Sequence, residues 1–177
     1  WDGELILRFD DTDTVVKPPL PSAYEQIPEE AEWLLGFKPH RIVIASDRIP
    51  HYYEHAEQML SRDFGYVCQC SGEEFKEFRI SKTNCPCRSN DVDKNLQLWG
   101  QMLDGTFVPG DAFVRVKTSM DLKNPALRDW PALRIQNTAE HPHPRKEIRS
   151  LYRVWPLLDF QSAVEDHLQG VTHIIRG

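Results

Sequence analysis

No apolar run in this chain approaches the ~20 residues that a membrane-spanning helix needs, so no helical span is expected within it. The opening residues "WDGELILRFD" lack the basic start, apolar centre and small-residue cleavage site of a secretory signal. A cytoplasmic protein is the default expectation. Basic charge is not in excess: 21 Lys and Arg stand against 27 Asp and Glu, a formal net charge of −6. That balance argues against a nucleic-acid coat protein. It leaves room for a nucleic-acid enzyme, because a basic face can sit on an acidic body. The sequence also has no internal repeat and no low-complexity tract.

What is present is an ordinary globular composition, 40% apolar and 27% charged, over 177 residues. That length permits one mid-sized domain, or a domain carrying an insertion. The chain opens within a few residues of a strand pattern and stops after the apolar "GVTHIIRG". Domains seldom start and stop so tightly on buried-looking elements, so the sequence reads as a fragment.

The stretch "LILRFDDTDT" (5–14) runs from an apolar strand straight into an arginine, three acids and two threonines. A helix is predicted after "VKPPLPS", with Ser22 as N-cap, Tyr24, Ile27, Ala31, Leu34 and Leu35 at helical spacing, and Gly36 at its end. "HRIVIAS" (40–46) predicts a second strand, and "IPHYYEHAEQMLSRDFG" a second helix closed by Gly65. Strand, helix, strand, helix with no hairpin turn predicts parallel pairing in an α/β sheet. From Tyr66 the texture becomes α+β. "GEEFKEFR" is a short helix, and 92–105 is an amphipathic helix with Leu96, Trp99, Met102 and Leu103 on one face. "AFVRVKT" and "PALRIQN" are strands. The alternation then resumes with a strand in "LYRVWPLLDF", a helix ending at Gly170 and a strand in "VTHIIRG".

All four cysteines, Cys68, Cys70, Cys85 and Cys87, fall in a C-x-C-x14-C-x-C pattern. Two close pairs supply enough thiolates for a closed tetrahedral zinc site, structural because no ligand position is left open. Disulfides are disfavoured in a cytosolic chain. "HPHPRKEIRSLYR" (141–153) is the conspicuous basic stretch; taken alone it reads as solvated surface.

Three stretches together, "LRFDDTD", "YVCQCSGEEFKEFR…CPCR" and "YRVWPLLDFQSAVEDHLQGVTHIIRG", resemble the archaeal-type glutamyl-tRNA synthetases. These are class I aminoacyl-tRNA synthetases and relatives of the glutaminyl enzymes. The resemblance runs through nearly the whole chain and implies an incomplete Rossmann-type parallel-sheet catalytic core, interrupted by an inserted α+β module that binds the tRNA acceptor stem. It places the core at 1–66 and 151–177 and the module at 67–150. Neither of the family's ATP signatures, the histidine-glycine-histidine motif or the lysine-serine loop, occurs between Trp1 and Gly177. ATP and Mg²⁺ would belong to the full-length enzyme, no catalytic residue is assigned here, and the chain alone is expected to be inactive.

In an open α/β sheet ligands bind at the carboxyl ends of the strands, so acids that end a strand there can face a substrate. By resemblance, Asp10 holds the α-ammonium of glutamate and Arg176 its side-chain carboxylate, which a guanidinium fork matches and an amide does not. Leu158 stands where many members have a tyrosine lining the amino-acid pocket. The resemblance also implies that Thr12 and Asp13 lie near the 3′ end of the tRNA, and the basic stretch 141–153 is expected on the tRNA side, with Arg145 and Lys146 making non-specific phosphate contacts. Arg8 and Asp11 are expected behind them, paired to each other. Thr14 replaces a proline and should loosen its turn. The partners implied are tRNA(Glu), with tRNA(Gln) left open, glutamate and ATP. Two alternatives stand beside this reading: a glutaminyl-tRNA synthetase fragment, and a zinc-stabilised tRNA-binding module without chemistry.

Overall fold

The computed structural model describes residues 3–175. The chain forms two sheets, and its main apolar core lies against the antiparallel one. The first has two parallel strands, β1 (Ile6–Phe9) and β2 (Arg41–Ile44), in the register Arg8 opposite Val43. The second is a four-stranded antiparallel sheet in the order β3 (Gly65–Cys68), β4 (Phe113–Val116), β5 (Pro131–Ile135), β6 (Val154–Pro156). The predicted parallel pairing holds for β1 and β2. Beyond β6, where a strand was expected, residues 171–175 form none, and Ile175 is almost fully exposed. A strand needs a neighbouring strand to pair with, and among the described residues no strand runs beside this segment.

Helix α1 (Ala23–Leu35) follows β1 and ends at Gly36, whose φ of 76° is the left-handed conformation that glycine adopts without strain. Ser22 occupies the N-cap position, but its hydroxyl makes no capping bond. No residue of α1 is buried, and Ile27, Leu34 and Leu35 are exposed. Tyr24 is the contact that docks the helix, its ring 5.0 Å from that of Phe9.

Helix α2 (Ile49–Ser61) carries the centre of the core. Ile49, Tyr52, Ala56 and Leu60 recur at helical spacing, and all are wholly buried. They pack on Val67, Val114, Leu133, Val154 and Trp155 from the antiparallel sheet, and on Leu98, Trp99 and Met102 from α4 (Val92–Asp104). Each large side chain so buried stabilises the fold by about 1.5–3 kcal/mol. Of the face predicted for α4, Trp99 and Met102 are buried, while Leu96 and Leu103 are partly buried at its margin.

Gly65 does not close α2. The helix ends at Ser61 with Arg62 as its C-cap, the turn is made by Asp63 at φ 60°, and Gly65 opens β3. A Cβ at Gly65 would lie 2.9 Å from the Arg115 carbonyl oxygen and 2.8 Å from Met59 Cε. Glycine is required there by the closeness of strand β4. Helix α3 (Gly72–Ser81) starts from a capping box in which Ser71 and Glu74 exchange hydrogen bonds. Helix α5 (Leu158–Leu168) follows β6 and brings the late part of the chain back to the end of β1.

Candidate functional site

The acidic loop leaves the carboxyl end of β1 and is held by side chains from the far end of the sequence. Gln161, wholly buried on α5, donates to the Asp10 carboxylate and accepts from the Thr12 hydroxyl at 2.7 Å. Arg8 donates through Nε to Asp10 at 2.8 Å, through Nη1 to Asp166 at 2.6 Å and through Nη2 to the Ser162 hydroxyl at 3.2 Å. Arg8 is therefore not paired with Asp11, as expected, but with Asp10 and Asp166. The fork reaches α5 because Ser162 and Asp166 lie one helical turn apart on it.

Asp11 turns the other way, into the protein. It is 6% exposed and accepts from the Ser46 backbone N–H at 2.8 Å, the Ser46 hydroxyl at 2.7 Å and the Tyr24 hydroxyl at 2.6 Å. His143 Nε2 is 3.0 Å from the Asp11 carbonyl oxygen and 3.4 Å from its carboxylate. His143 Nδ1 accepts the Arg145 backbone N–H, so Nε2 carries the ring proton that reaches Asp11. The imidazole is wholly buried and stacks on Trp155 at 5.6 Å. Burial pushes the Asp11 carboxyl upward, but bonds from His143, Tyr24 and Ser46 outweigh it and hold the group below the usual carboxylate range. The same proton-sharing, with burial as the leading cause, raises the Tyr24 phenol.

Asp13 closes the loop, accepting the backbone N–H groups of Val15 and Val16 at 3.0 Å each and pairing with Arg134 at 3.2 Å. Thr14 does not loosen its turn. It is buried, and its N–H and hydroxyl both reach Gln136 Oε1, while Gln136 Nε2 donates to the Thr12 carbonyl. Beside this loop runs a groove of 340 Å³ lined by Val15, Val16, Phe113, Arg134, Asn137 and His141.

Of the other residues singled out by sequence, Leu158 is the half-exposed first residue of α5. Lys146 is exposed. Arg145 is drawn inward: Nη1 donates to the Ser46 hydroxyl at 2.9 Å and to Asp47 at 2.7 Å, with the guanidinium 5.6 Å from the centre of the Tyr24 ring. Arg176 lies outside the described residues. Sequence reasoning missed Gln161, Ser162 and Glu165, all buried on α5. Their spacing, polar residues one turn apart on a single helix, was the available signal. Glu165 accepts from Arg48 at 2.6 Å and from Tyr52 at 2.8 Å, tying α5 to α2 and the turn before it.

The four cysteines converge as predicted. Cys68 ends β3, Cys70 precedes α3, and Cys85 and Cys87 flank Pro86 in a short 3-10 turn. Their sulfurs all lie within 4.8 Å of one another, with Cys68 to Cys85 at 3.9 Å and Cys70 to Cys87 at 3.8 Å. A tetrahedral zinc with Zn–S bonds of about 2.3 Å requires sulfur–sulfur edges of about 3.8 Å, so the donor set fits that ion. Gln69 donates its N–H to Cys87 sulfur at 3.4 Å. The Cys68 thiol is pushed up, first by its bond to Cys85 and then by burial, with Arg115 acting in the opposite sense. Cys85 is drawn down to about 5, chiefly by that same bond to Cys68.

Behind the sulfurs sits Asp129, fully buried at φ 41°. Its carboxylate pairs with Arg88, accepts from the Tyr66 hydroxyl at 3.0 Å and from the Thr118 N–H at 2.8 Å. The Tyr66 hydroxyl is in turn 3.4 Å from Cys85 sulfur.

Comparison with known proteins places these features. The chain is 51% identical over all 177 residues to the glutamate–tRNA ligase of Methanothrix thermoacetophila, and 49% identical to those of Pyrococcus abyssi and Thermococcus kodakarensis. It spans 30% of the length of each of those relatives. In fold it is similar to the crystal structure of a glutamate tRNA ligase from Elizabethkingia meningosepticum in complex with its amino acid. That match has a TM-score of 0.59 at 18% identity, covering 99% of this chain and 37% of the other. Residues 1–177 match the family of class I tRNA synthetases (E and Q), catalytic domain, and the chain belongs to that family.

Proposed function

We propose that this chain is part of the catalytic domain of a cytoplasmic glutamate–tRNA ligase. The observation that carries the reading is the identity of 48–51% over the whole chain to archaeal enzymes of that name. In the reaction, the α-carboxylate of glutamate attacks the α-phosphate of ATP, releasing pyrophosphate, and the 3′-terminal adenosine of tRNA(Glu) then takes the glutamyl group. Such transfers depend on positioning and on neutralising spread charge, with Mg²⁺ bound alongside ATP.

The part assigned to this chain is recognition. Asp10 offers its carboxylate to the α-ammonium, and the grip of Arg8 and Gln161 on Asp10 supports this by fixing the carboxylate before substrate arrives. Arg176 takes the side-chain carboxylate, and Leu158 borders the pocket. Thr12 and Asp13 stand near the tRNA 3′ end, where the adjoining groove gives a nucleotide room. Residues 67–150 form the acceptor-stem module between core segments 1–66 and 151–177. Pairing of β5 with β6 joins module and core through one sheet. Zinc held by Cys68, Cys70, Cys85 and Cys87 would serve structure, because four sulfur ligands leave no position for a reacting water.

The test is kcat/KM for glutamate and for glutamine in full-length enzyme carrying Asp10→Ala or Arg176→Ala. Asp10→Ala should raise the glutamate requirement while keeping preference over glutamine. Arg176→Ala should lose that preference. The opposite pattern would reverse the two assignments.

A further inference from the structure

Arg115 is a buried cation without a counter-charge of its own. It is 5% exposed on β4, directly opposite Tyr66 in the antiparallel register, and so on the sheet face that carries Tyr66 and Cys68. Its guanidinium carbon lies 3.3 Å from the centre of the Phe75 ring, which closes over it from α3. Nη1 donates to the Asp129 main-chain carbonyl at 3.2 Å, and Nε, also buried, has no partner. The nearby carboxylate is already committed: Asp129 is paired with Arg88 and hydrogen-bonded by Tyr66 and Thr118. Among the described residues no carboxylate forms an ion pair with Arg115.

Burying an unpaired charge is among the most costly arrangements a core can hold, and an orphaned buried N–H calls for an explanation. The apolar wall of Phe75 supplies one contact, but a ring face compensates only part of the cost of removing a guanidinium from water. Phe113, two positions back on β4, adds a second ring 5.7 Å from the guanidinium carbon, and beside it this face carries the cysteines. Tyr66, Cys68, Phe75 and Cys85 pack as one cluster, with Cys70 and Cys87 at its margin. Four thiolates around a divalent ion carry a net charge of about −2, and such a centre in a dry cluster needs cations near its sulfurs as much as Arg115 needs an anion.

We infer that Arg115 is the positioning cation of the four-cysteine centre, its fixed charge and its free N–H serving the sulfur ligands rather than the fold at large. This rests on the reading of those cysteines as a metal site. The pairing explains why an arginine stands in the middle of a buried strand. Metal-free, the charge lacks compensation; with the metal bound, ligand cluster and arginine neutralise each other. Arg88, next to Cys87 in sequence, is pinned by Asp129, the same residue whose main-chain carbonyl accepts from Arg115.

The experiment is competition for Zn²⁺ between this chain and a chromophoric chelator, run on wild type, Arg115→Gln and Arg115→Lys. The ligand-to-metal charge-transfer spectrum of the Co²⁺-loaded forms is recorded alongside. Glutamine keeps a donor for the Asp129 carbonyl and removes the charge; lysine keeps the charge. The expected result is zinc affinity about tenfold to a hundredfold weaker in Arg115→Gln, with most of it restored in Arg115→Lys and a shifted Co²⁺ band in the glutamine variant. The rise in melting temperature on adding Zn²⁺ reads the same coupling even where Arg115→Gln lowers basal stability. Equal zinc affinity in wild type and Arg115→Gln would overturn the inference while leaving the metal site standing. Equal losses in both variants would overturn the charge argument. A wild-type chain that binds no zinc would overturn both the inference and the site.

Discussion

His143 and Asp11 meet twice, Nε2 lying 3.0 Å from the main-chain carbonyl and 3.4 Å from the carboxylate of the same residue. One buried ring thus fixes both the path and the charge of the loop whose neighbouring positions are Asp10 and Thr12. The loop that faces substrate in the proposed function is set from behind by a residue of the 137–150 segment.

Acid sensitivity follows from that arrangement. The Asp11 carboxyl is held below its ordinary value in the fold, so its contribution is fully present above the unfolded value of about 3.9 and is lost as pH falls through the lower folded value. Asp11→Asn should lower stability at neutral pH by about 1–3 kcal/mol, since the amide turns a donor toward groups that also donate. The variant should also show a flatter dependence of stability on pH below about 4. Urea unfolding of both proteins between neutrality and pH 3 checks this; parallel pH profiles would contradict it.

Gly65→Ala should destabilise by about 1–3 kcal/mol, the usual cost of forcing a group into a filled space. Met59 can swing its terminal methyl aside, but the Arg115 carbonyl at 2.9 Å is backbone and must carry strand β4 with it. A shift in the urea midpoint at unchanged slope is the signature; an unchanged midpoint would mean that β3 and β4 separate freely.

Arg145 and Lys146, adjacent in sequence, should separate by phenotype. Lys146→Ala, at an exposed side chain, should leave stability intact and reduce the salt dependence of tRNA binding in the full-length enzyme by about one slope unit. Arg145→Ala breaks bonds to Ser46 and Asp47 and should lower stability by roughly 0.5–2 kcal/mol, the range for a partly screened ion pair with an added hydrogen bond. Melting curves and binding isotherms at several salt concentrations separate the two. Equal effects of both substitutions on binding with none on stability would return Arg145 to a phosphate-contacting role.

Local pattern revealed what local physics determines. The apolar face of α4, the parallel pairing of β1 with β2 and the convergence of the cysteines follow from periodicity, loop length and spacing. Gly65 was misread because glycine after an apolar helix suggests a cap, whereas here the cause is a carbonyl from a strand fifty positions later. The apolar positions of α1 were legible, yet α1 has no buried residue, because periodicity marks a face and not what covers it. Buried Gln161, Glu165 and Arg115 were passed over for the opposite reason: polar residues default to solvent until a partner distant in sequence is known.

Arg8 and Asp166 are separated by 158 positions, and Gln161 and Asp10 by 151. During synthesis the acidic loop leaves the ribosome well before α5 exists, so Tyr24 and Ser46 are at hand for Asp11 early, while the α5 anchors of Arg8 and Asp10 arrive much later. Closing so long a loop costs entropy that grows only logarithmically with length, but it must be met before the first of these bonds forms. The Arg8 and Asp10 side of the acidic loop is therefore completed late in folding, once β6 has carried the chain back beside β5. By the same reasoning it is the first part released when α5 lifts away, and hydrogen exchange at Asp10 to Asp13 should follow that of α5 and not that of β1.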